Sequence, residues 1–264
     1  MNNFNYHRPA SVADARALFS GADDPVYVAG GHTLLPAMKQ RLREPSDVID
    51  LAGVSDLTNI SVSGDAVTIG ALVCHAQVAE STDVANAIPA LADLASGIGD
   101  AQVRNRGTIG GSVANNDPAA DYPAAVVGLG ATVVTDQREI AGDDFFTDMF
   151  ETALEEGEVI TAIRFPIPKA AAYVKFPNPA SRYATVGVMV AQGSDTRVAI
   201  TGAGPCVFRS TDMEQALSSS FSADAISGIT VDASDLNSDM HASAEYRAHL
   251  CVVMAGRAVE AIAT

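Results

Sequence analysis

Short apolar runs and helical periods alternate along the first fifty residues. Residues 25–29 (PVYVA) read as a buried-type strand, Gly30-Gly31 breaks it, and residues 33–42 (TLLPAMKQRL) have helical periodicity. A second apolar run follows at residues 47–51 (DVIDL). Strand, helix and strand at this spacing predict a βαβ unit. The pattern then changes. Residues 60–62 and 67–69 flank Ser63-Gly64-Asp65, a hairpin signal. Helices are expected at residues 75–80 and 89–96, then a polar, Gly-rich irregular stretch over 97–121, then an apolar helical segment at 124–129. Strands at 131–135 and 159–165 bracket an acidic loop. A linker-like run at 166–172 predicts a boundary. Beyond it, residues 186–191 and 197–201 read as strands, Ala203-Gly204-Pro205 as a turn and 212–217 as the start of a helix. Residues 243–262 form an amphipathic helix with Tyr246, Leu250, Val253, Met254 and Val259 as its expected buried face.

Composition and charge exclude several functions. The 264 residues are 48% hydrophobic and 18% charged, which is globular and enough for two domains. A net charge of −16 argues against a nucleic-acid backbone or an anionic membrane as partner, because the longest basic cluster spans only 39–43. Cys74, Cys206 and Cys251 are isolated, and the five histidines, His7, His32, His75, His241 and His249, lack metal-ligand spacing. Without a signal-peptide pattern or an apolar run of membrane length, a cytoplasmic location is expected.

The candidate chemistry sits in two glycine-rich segments. In VAGGHTLLP (28–36) a strand runs into Gly-Gly and a helix start. Glycine lets the backbone approach a ligand, and free amides at a helix start favour a phosphate; a plain tight turn is the alternative. Asp50 lies 20 residues after Gly30, as a ribose-binding acid would in a dinucleotide fold, but the G-x-G-x-x-G spacing is absent. The second segment, RNRGTIGGSVANNDPAADYP (104–123), gathers Gly107, Gly110 and Gly111 around Thr108, then Asn115, Asn116, Asp117 and Asp121. Amides beside such glycines make an anion-binding concavity, and the amides and carboxylates accept from sugar or polyol hydroxyls. A turn-rich surface loop is the alternative. Two such loops suit a ligand with a diphosphate and a polyol, such as FAD.

These motifs resemble a known family. The first loop is similar to the AGG-(Q/H)-(S/T)-LLP motif, and the second to the TIGG-(S/N)-x₅-P-x₂-D motif, of molybdenum hydroxylase FAD domains. The stretches QVRNRGTIGG (102–111), FNYHRPASVADA (4–15), GEVITAIRFPIP (157–168) and KFPNPASRYATVGV (175–188) resemble the medium subunit of aerobic carbon monoxide dehydrogenase, a relative of the xanthine dehydrogenase FAD domain. The resemblance covers nearly the whole chain in order.

It implies an α+β fold: a two-subdomain FAD-binding fold of the vanillyl-alcohol oxidase type over 1–167, then a small α+β domain with a three-stranded antiparallel sheet over 168–264. It also implies roles. Ala29, Gly30, Gly31, His32, Thr33, Leu34 and Leu35 would wrap the FAD diphosphate, with Thr108, Gly110 and Gly111 completing the cradle. Asn115 and Asp121 would meet hydroxyls, Ile160 would line the cofactor, and Lys175 would lie near the flavin ring, with Ile98 at its face. His32 would stack on or bond the cofactor, or serve only the loop; Ile98, Ile160 and Lys175 also read as ordinary core or surface residues, and Asp117 and Asp121 as caps.

The implied function is electron relay, with no catalytic acid–base pair. Electrons would pass from [2Fe–2S] clusters on a small subunit, fed by a large molybdopterin subunit, through FAD to an acceptor, in a dimer of heterotrimers. The competing classes are a stand-alone flavin oxidoreductase, a homologue that has lost FAD, and a Rossmann-type NAD protein.

Overall fold

The computed structural model describes residues 1–263. The chain opens with β1 (Asn5–His7), α1 (Val12–Ser20), β2 (Pro25–Val28), α2 (Leu34–Lys39) and β3 (Asp47–Asp50). Its three strands form a parallel sheet in the order β1-β3-β2, so β2-α2-β3 is the expected βαβ unit. The helix is shorter than its periodicity predicts: Arg41, at φ +61, stands just past its end. Asp50 is engaged within the protein. Its carboxylate accepts from the Tyr6 hydroxyl at 2.6 Å and from the Ala52 amide at 2.9 Å, which caps the following turn.

The hairpin of β4 (Ile60–Ser63) and β5 (Ala66–Gly70) turns at Gly64, as its sequence signals. A helical layer follows: α3 (His75–Glu80), α4 (Thr82–Ala87), α5 (Pro89–Ser96), α6 (Ala101–Arg104), α7 (Ile109–Asn115) and α8 (Tyr122–Gly128). The stretch expected to be irregular over 97–121 therefore holds two short helices. Asp100 caps α6 and Thr108 caps α7 through their side chains, which is how a polar, Gly-rich sequence starts a helix twice. The chain continues with β6 (Thr132–Thr135), β7 (Glu139–Ala141), α9 (Gly142–Phe145), β8 (Phe146–Asp148), β9 (Glu151–Thr152) and β10 (Ile160–Pro166). The second sheet is antiparallel, β4-β5-β10-β6-β7. What reads as an acidic loop between β6 and β10 thus contains structure of its own. Inside it, the Glu158 side chain is fully enclosed. It accepts from Arg138 through two bonds of 3.0 Å, from the Thr135 hydroxyl at 2.7 Å and from the Glu155 amide at 2.7 Å.

The last region holds β11 (Ala170–Pro177), β12 (Ala184–Gln192), β13 (Thr196–Thr201), β14 (Phe208–Arg209), α10 (Thr211–Ser219), α11 (Ala223–Ile226) and α12 (Ala244–Ala263). The antiparallel sheet runs β11-β12-β13-β14. A two-residue edge strand thus joins the three expected; two residues are too few to show a period. Strand β12 reads as one apolar run because both its faces are covered. Val186, Val188 and Val190 pack toward the core shared with α10 and α12, while Met189 and Ala191 pack into the core of the middle region. On α12, Leu250, Met254 and Val259 are buried as expected, but Tyr246 is exposed and Arg247 is buried. Its guanidinium donates to the carbonyls of Thr185 at 2.6 Å and Gly202 at 2.9 Å, and to Asp239 at 2.7 Å. Periodicity sees the charge of Arg247, not the strand-end carbonyls and the Asp239 carboxylate that receive it.

Four hydrogen bonds hold the Glu158 carboxyl well below the usual carboxylate range, at about 2. The unfolded chain protonates this group near 4.5. Its stabilisation is therefore full above that pH and is lost as pH falls through about 2. Denaturant unfolding between pH 5 and pH 2 should show the wild type losing up to about 3 kcal/mol that Glu158→Gln does not lose.

Candidate functional site

A cleft of about 670 Å³ runs between the parallel sheet, the helical layer and the loop before β12. That size suits a cofactor. Of the residues expected at the site, Ala29, Gly30, Gly31, His32, Thr33, Leu34, Thr108, Gly110, Gly111, Asn115, Asp121 and Ile160 line it, as does Ile98. Leu35 and Lys175 do not. Leu35 stands behind Gly31, and a Cβ on Gly31 would come within 2.9 Å of its side chain.

The first loop offers donors. Gly31 takes φ +73, which brings the chain round from β2 into α2. Among the described residues, the amides of Gly31, His32, Thr33 and Leu34 find no acceptor in the protein. The helix behind them has only six residues, so the amides themselves, rather than a long macrodipole, are what the loop presents.

The second loop is built differently from its expectation. The Gly110 amide donates to the Ala71 carbonyl at 2.9 Å, and the Gly111 amide to the Thr108 hydroxyl at 3.1 Å. Neither is left for a ligand. The glycines here serve protein contacts. A Cβ on Gly110 would lie 2.7 Å from the Ala71 carbonyl oxygen, and one on Gly107 would lie 2.5 Å from the His75 ring. A Cβ on Gly30 would lie 2.2 Å from the Arg106 carbonyl oxygen. The two loops therefore touch backbone to backbone, and the second buttresses the first.

Polar groups close the cleft. Asp121 is buried; its carboxylate accepts from the Tyr173 hydroxyl at 2.5 Å and from the Lys175 ammonium at 3.1 Å. Burial raises its pKa, and Lys175 and Tyr173 pull the other way. Asn116, at φ +41, ends α7, and its side chain donates to the carbonyls of Asp148 at 2.7 Å and Glu151 at 2.8 Å. It holds the β8–β9 hairpin and does not line the cleft.

Sequence reading passed over two contributors. Ser181, Arg182 and Tyr183 line the cleft from the loop before β12. They lie inside a quoted stretch of family resemblance, so a signal existed. His75 lies beneath the second loop with no such signal. Its backbone amide donates to the Gly107 carbonyl at 3.0 Å, and its ring leans on Tyr122 with centroids 5.3 Å apart. Burial, with His32 and Arg104 nearby, lowers its pKa to about 4.

The set fits FAD: unpaired amides for a diphosphate, polar side chains for hydroxyls, and apolar Ile98 and Ile160 for a ring. Comparison with known proteins agrees. Residues 2–168 match the family described as FAD binding domain in molybdopterin dehydrogenase, and residues 171–262 match the CO dehydrogenase flavoprotein C-terminal domain. The chain is 37% identical to the nicotine 6-hydroxylase medium subunit of Paenarthrobacter nicotinovorans, over 92% of this chain and 91% of that one. It is 35% identical to the carbon monoxide dehydrogenase medium chain of Afipia carboxidovorans, over 98% and 96%. A solved structure, reconstituted CO dehydrogenase from Oligotropha carboxidovorans, superposes with a TM-score of 0.91 at 33% identity, covering 99% of this chain and 98% of that one.

Two outcomes follow from this geometry. Gly110→Val should lower the melting temperature of the ligand-free chain as well as remove FAD binding, because its side chain meets Ala71; an unchanged melting temperature would return Gly110 to a purely ligand-facing role. At pH 7 His75 is neutral in the folded chain and mostly so in the unfolded one. As pH falls from 6.5 the unfolded chain takes the proton first, so stability should fall by up to about 3 kcal/mol by pH 4. His75→Gln should flatten that part of a stability-against-pH curve.

Proposed function

Because the chain belongs to the FAD-binding medium subunits of the molybdenum hydroxylases, we propose that FAD sits in the cleft between its two loops, for electron relay within a larger oxidoreductase complex. The cofactor of the family is FAD, which when bound takes up electrons and hands them on. The work left to this chain is to bind, orient and shield.

One observation carries the reading: four successive unpaired amides, Gly31 to Leu34, on the wall of a cleft of cofactor size. A diphosphate supplies the acceptors they lack. Ala29 and Gly30 shape the entry to that turn, and Leu35 backs Gly31. His32 and Thr33 stand exposed beside the diphosphate position. Thr108, Gly110 and Gly111 act as its buttress. Asn115 and the remaining lone pairs of Asp121 are left for ribityl or ribose hydroxyls, and Ile98 and Ile160 supply apolar walls.

The division into domains at 1–167 and 168–264 belongs to the same reading, supported by the separate core under α12. So do the partners: a small [2Fe–2S] subunit and a large molybdopterin subunit, as a dimer of heterotrimers. The relatives are medium chains or subunits by name, and the three cysteines here are scattered through the fold. A cytoplasmic location is supported by those free thiols. Among the described residues, no helix is long and apolar enough to cross a membrane.

The test is a visible spectrum after incubation with FAD or FMN and desalting, on the chain alone and on the co-expressed complex. Near-stoichiometric FAD and little FMN are expected, because FMN brings no diphosphate to the free amides. Absence of flavin from both preparations would overturn the reading.

A further inference from the structure

The turn after β6 grips two parts of the chain at once. On one side it holds the segment that enters β10. The Asp136 amide donates to the Val159 carbonyl at 3.0 Å, and the Val159 amide donates to the Asp136 carboxylate at 2.8 Å. On the other side, the second carboxylate oxygen accepts from the Arg16 guanidinium of α1 at 2.9 Å. The Asp136 side chain is only 11% exposed. Removing Arg16 would leave a mostly buried carboxylate without its cation, which is costly.

Arg16 belongs to the parallel-sheet unit, which lines the cleft through Val26, Tyr27 and Val28 of β2. The middle region lines it through Leu154, Glu158, Val159 and Ile160. Among the described residues, two hydrogen bonds cross between residues 1–58 and residues 130–168. One is Arg16 to Asp136; in the other the Tyr27 hydroxyl donates to the Gly157 carbonyl at 3.1 Å. Apolar contact fills the same junction. Phe19 stacks on Tyr27 with centroids 4.8 Å apart, and a Cβ on Gly157 would lie 3.0 Å from the Phe19 ring. Val159 shares a buried core with Ala15 and Ile49. Apolar faces are non-directional and tolerate sliding, whereas a charge-assisted bond fixes a distance. Tyr27 and Val159 line the cleft themselves; Arg16 and Asp136 do not. The pair thus joins both walls without lying on either.

We propose that Arg16 and Asp136 are positioning residues for the cofactor cleft: from outside it, their ion pair holds α1 and β2 against segment 157–160 and so sets the spacing of two cleft walls before FAD arrives. The functional consequence rests on the cleft being the FAD seat; the tie itself is a property of the ligand-free chain. Breaking it lowers the fraction of chains whose cleft is ready to bind, and apparent affinity falls by that fraction.

The chain has no tryptophan, so Phe19→Trp places a single reporter in the junction beside Tyr27 and Gly157. The experiment reads its emission in the full FAD-free chain, with FAD affinity and amide hydrogen exchange measured beside it. In this background Arg16→Glu sets a carboxylate against Asp136. The emission should move to the red and become easier to quench with acrylamide, while the amides of β12 and α12 keep their exchange rates. FAD should bind about tenfold more weakly, as for a cleft ready one time in ten. Adding Asp136→Asn removes the repulsion and keeps an acceptor for the Val159 amide, so it should restore most of both. If Arg16→Glu fails to fold, Arg16→Met removes the pair without repulsion and should show a smaller shift in the same directions. Affinity lost with the emission unchanged would mean that Arg16 acts on FAD by another route and would overturn the proposal. So would emission and affinity that both stay at the starting values, or an Asp136→Asn addition that restores neither. Faster exchange throughout, β12 and α12 included, would overturn it in favour of general stability. Wild-type chain that binds no FAD would count against the cleft reading alone, and the emission would still decide the tie.

Discussion

The site depends on two loops approaching until their backbones touch. Gly30 rests on the Arg106 carbonyl, Gly107 on the His75 ring and Gly110 on the end of β5 at Ala71. A Cβ on Gly30 would force the loops apart, and one on Gly107 or Gly110 would push the second loop off His75 or Ala71. The contact leaves the first loop in a tight turn with its amides unspent, while the second loop spends its own amides on protein. Division of labour between two similar-looking loops follows from which carbonyls happen to lie within reach. Thr108 and Ala71 satisfy the second loop, and among the described residues nothing satisfies the amides of Gly31 to Leu34 in the first.

The same logic holds the two halves of the chain together. The segment between α7 and α8 has few internal hydrogen bonds, so it borrows partners from the last sheet. Ala184 and Gly202 donate amides to the carbonyls of Ala119 and Pro118, and the Thr201 hydroxyl donates to Ala120 at 2.7 Å. Met189 of β12 packs where α8 has only Gly128, whose Cβ would lie 2.6 Å from it. Asp121, Tyr173 and Lys175 add a buried polar knot at the cleft end of this junction. Here a buried charge is tolerated because every oxygen and every ammonium proton has a partner.

In a chain whose chemistry is supplied by a bound cofactor, the residues' own work is to hold that cofactor. The residues around the cleft are donors, acceptors and apolar walls, and the one buried histidine, His75, is kept neutral beneath a loop instead of being offered to solvent. Some acidic groups are held in local ion pairs, as Glu158 is by Arg138.

Much of this was legible in the residues alone. Strand–Gly-Gly–helix, the Ser63-Gly64-Asp65 hairpin and the amphipathic last helix are local patterns, decided by φ, by period and by caps. The order of four motifs along the chain identified the family, and with it the cofactor. What the residues could not decide was set by contacts distant in sequence. Asp50 stands at a ribose-binding spacing yet bonds Tyr6, 44 residues away. Gly110 reads as a ligand contact, and besides lining the cleft it packs on Ala71. Arg247 is absent from the expected buried face of the last helix yet is buried, because the carbonyls of Thr185 and Gly202 lie where its guanidinium falls. Lys175 reads as a flavin neighbour, and its ammonium also meets Gly97, Asp121 and Arg182 from three other segments. A sequence records which donors and acceptors exist and which backbone shapes are allowed; only the folded chain decides which of them meet, since pairing depends on distance in space and not on distance along the chain.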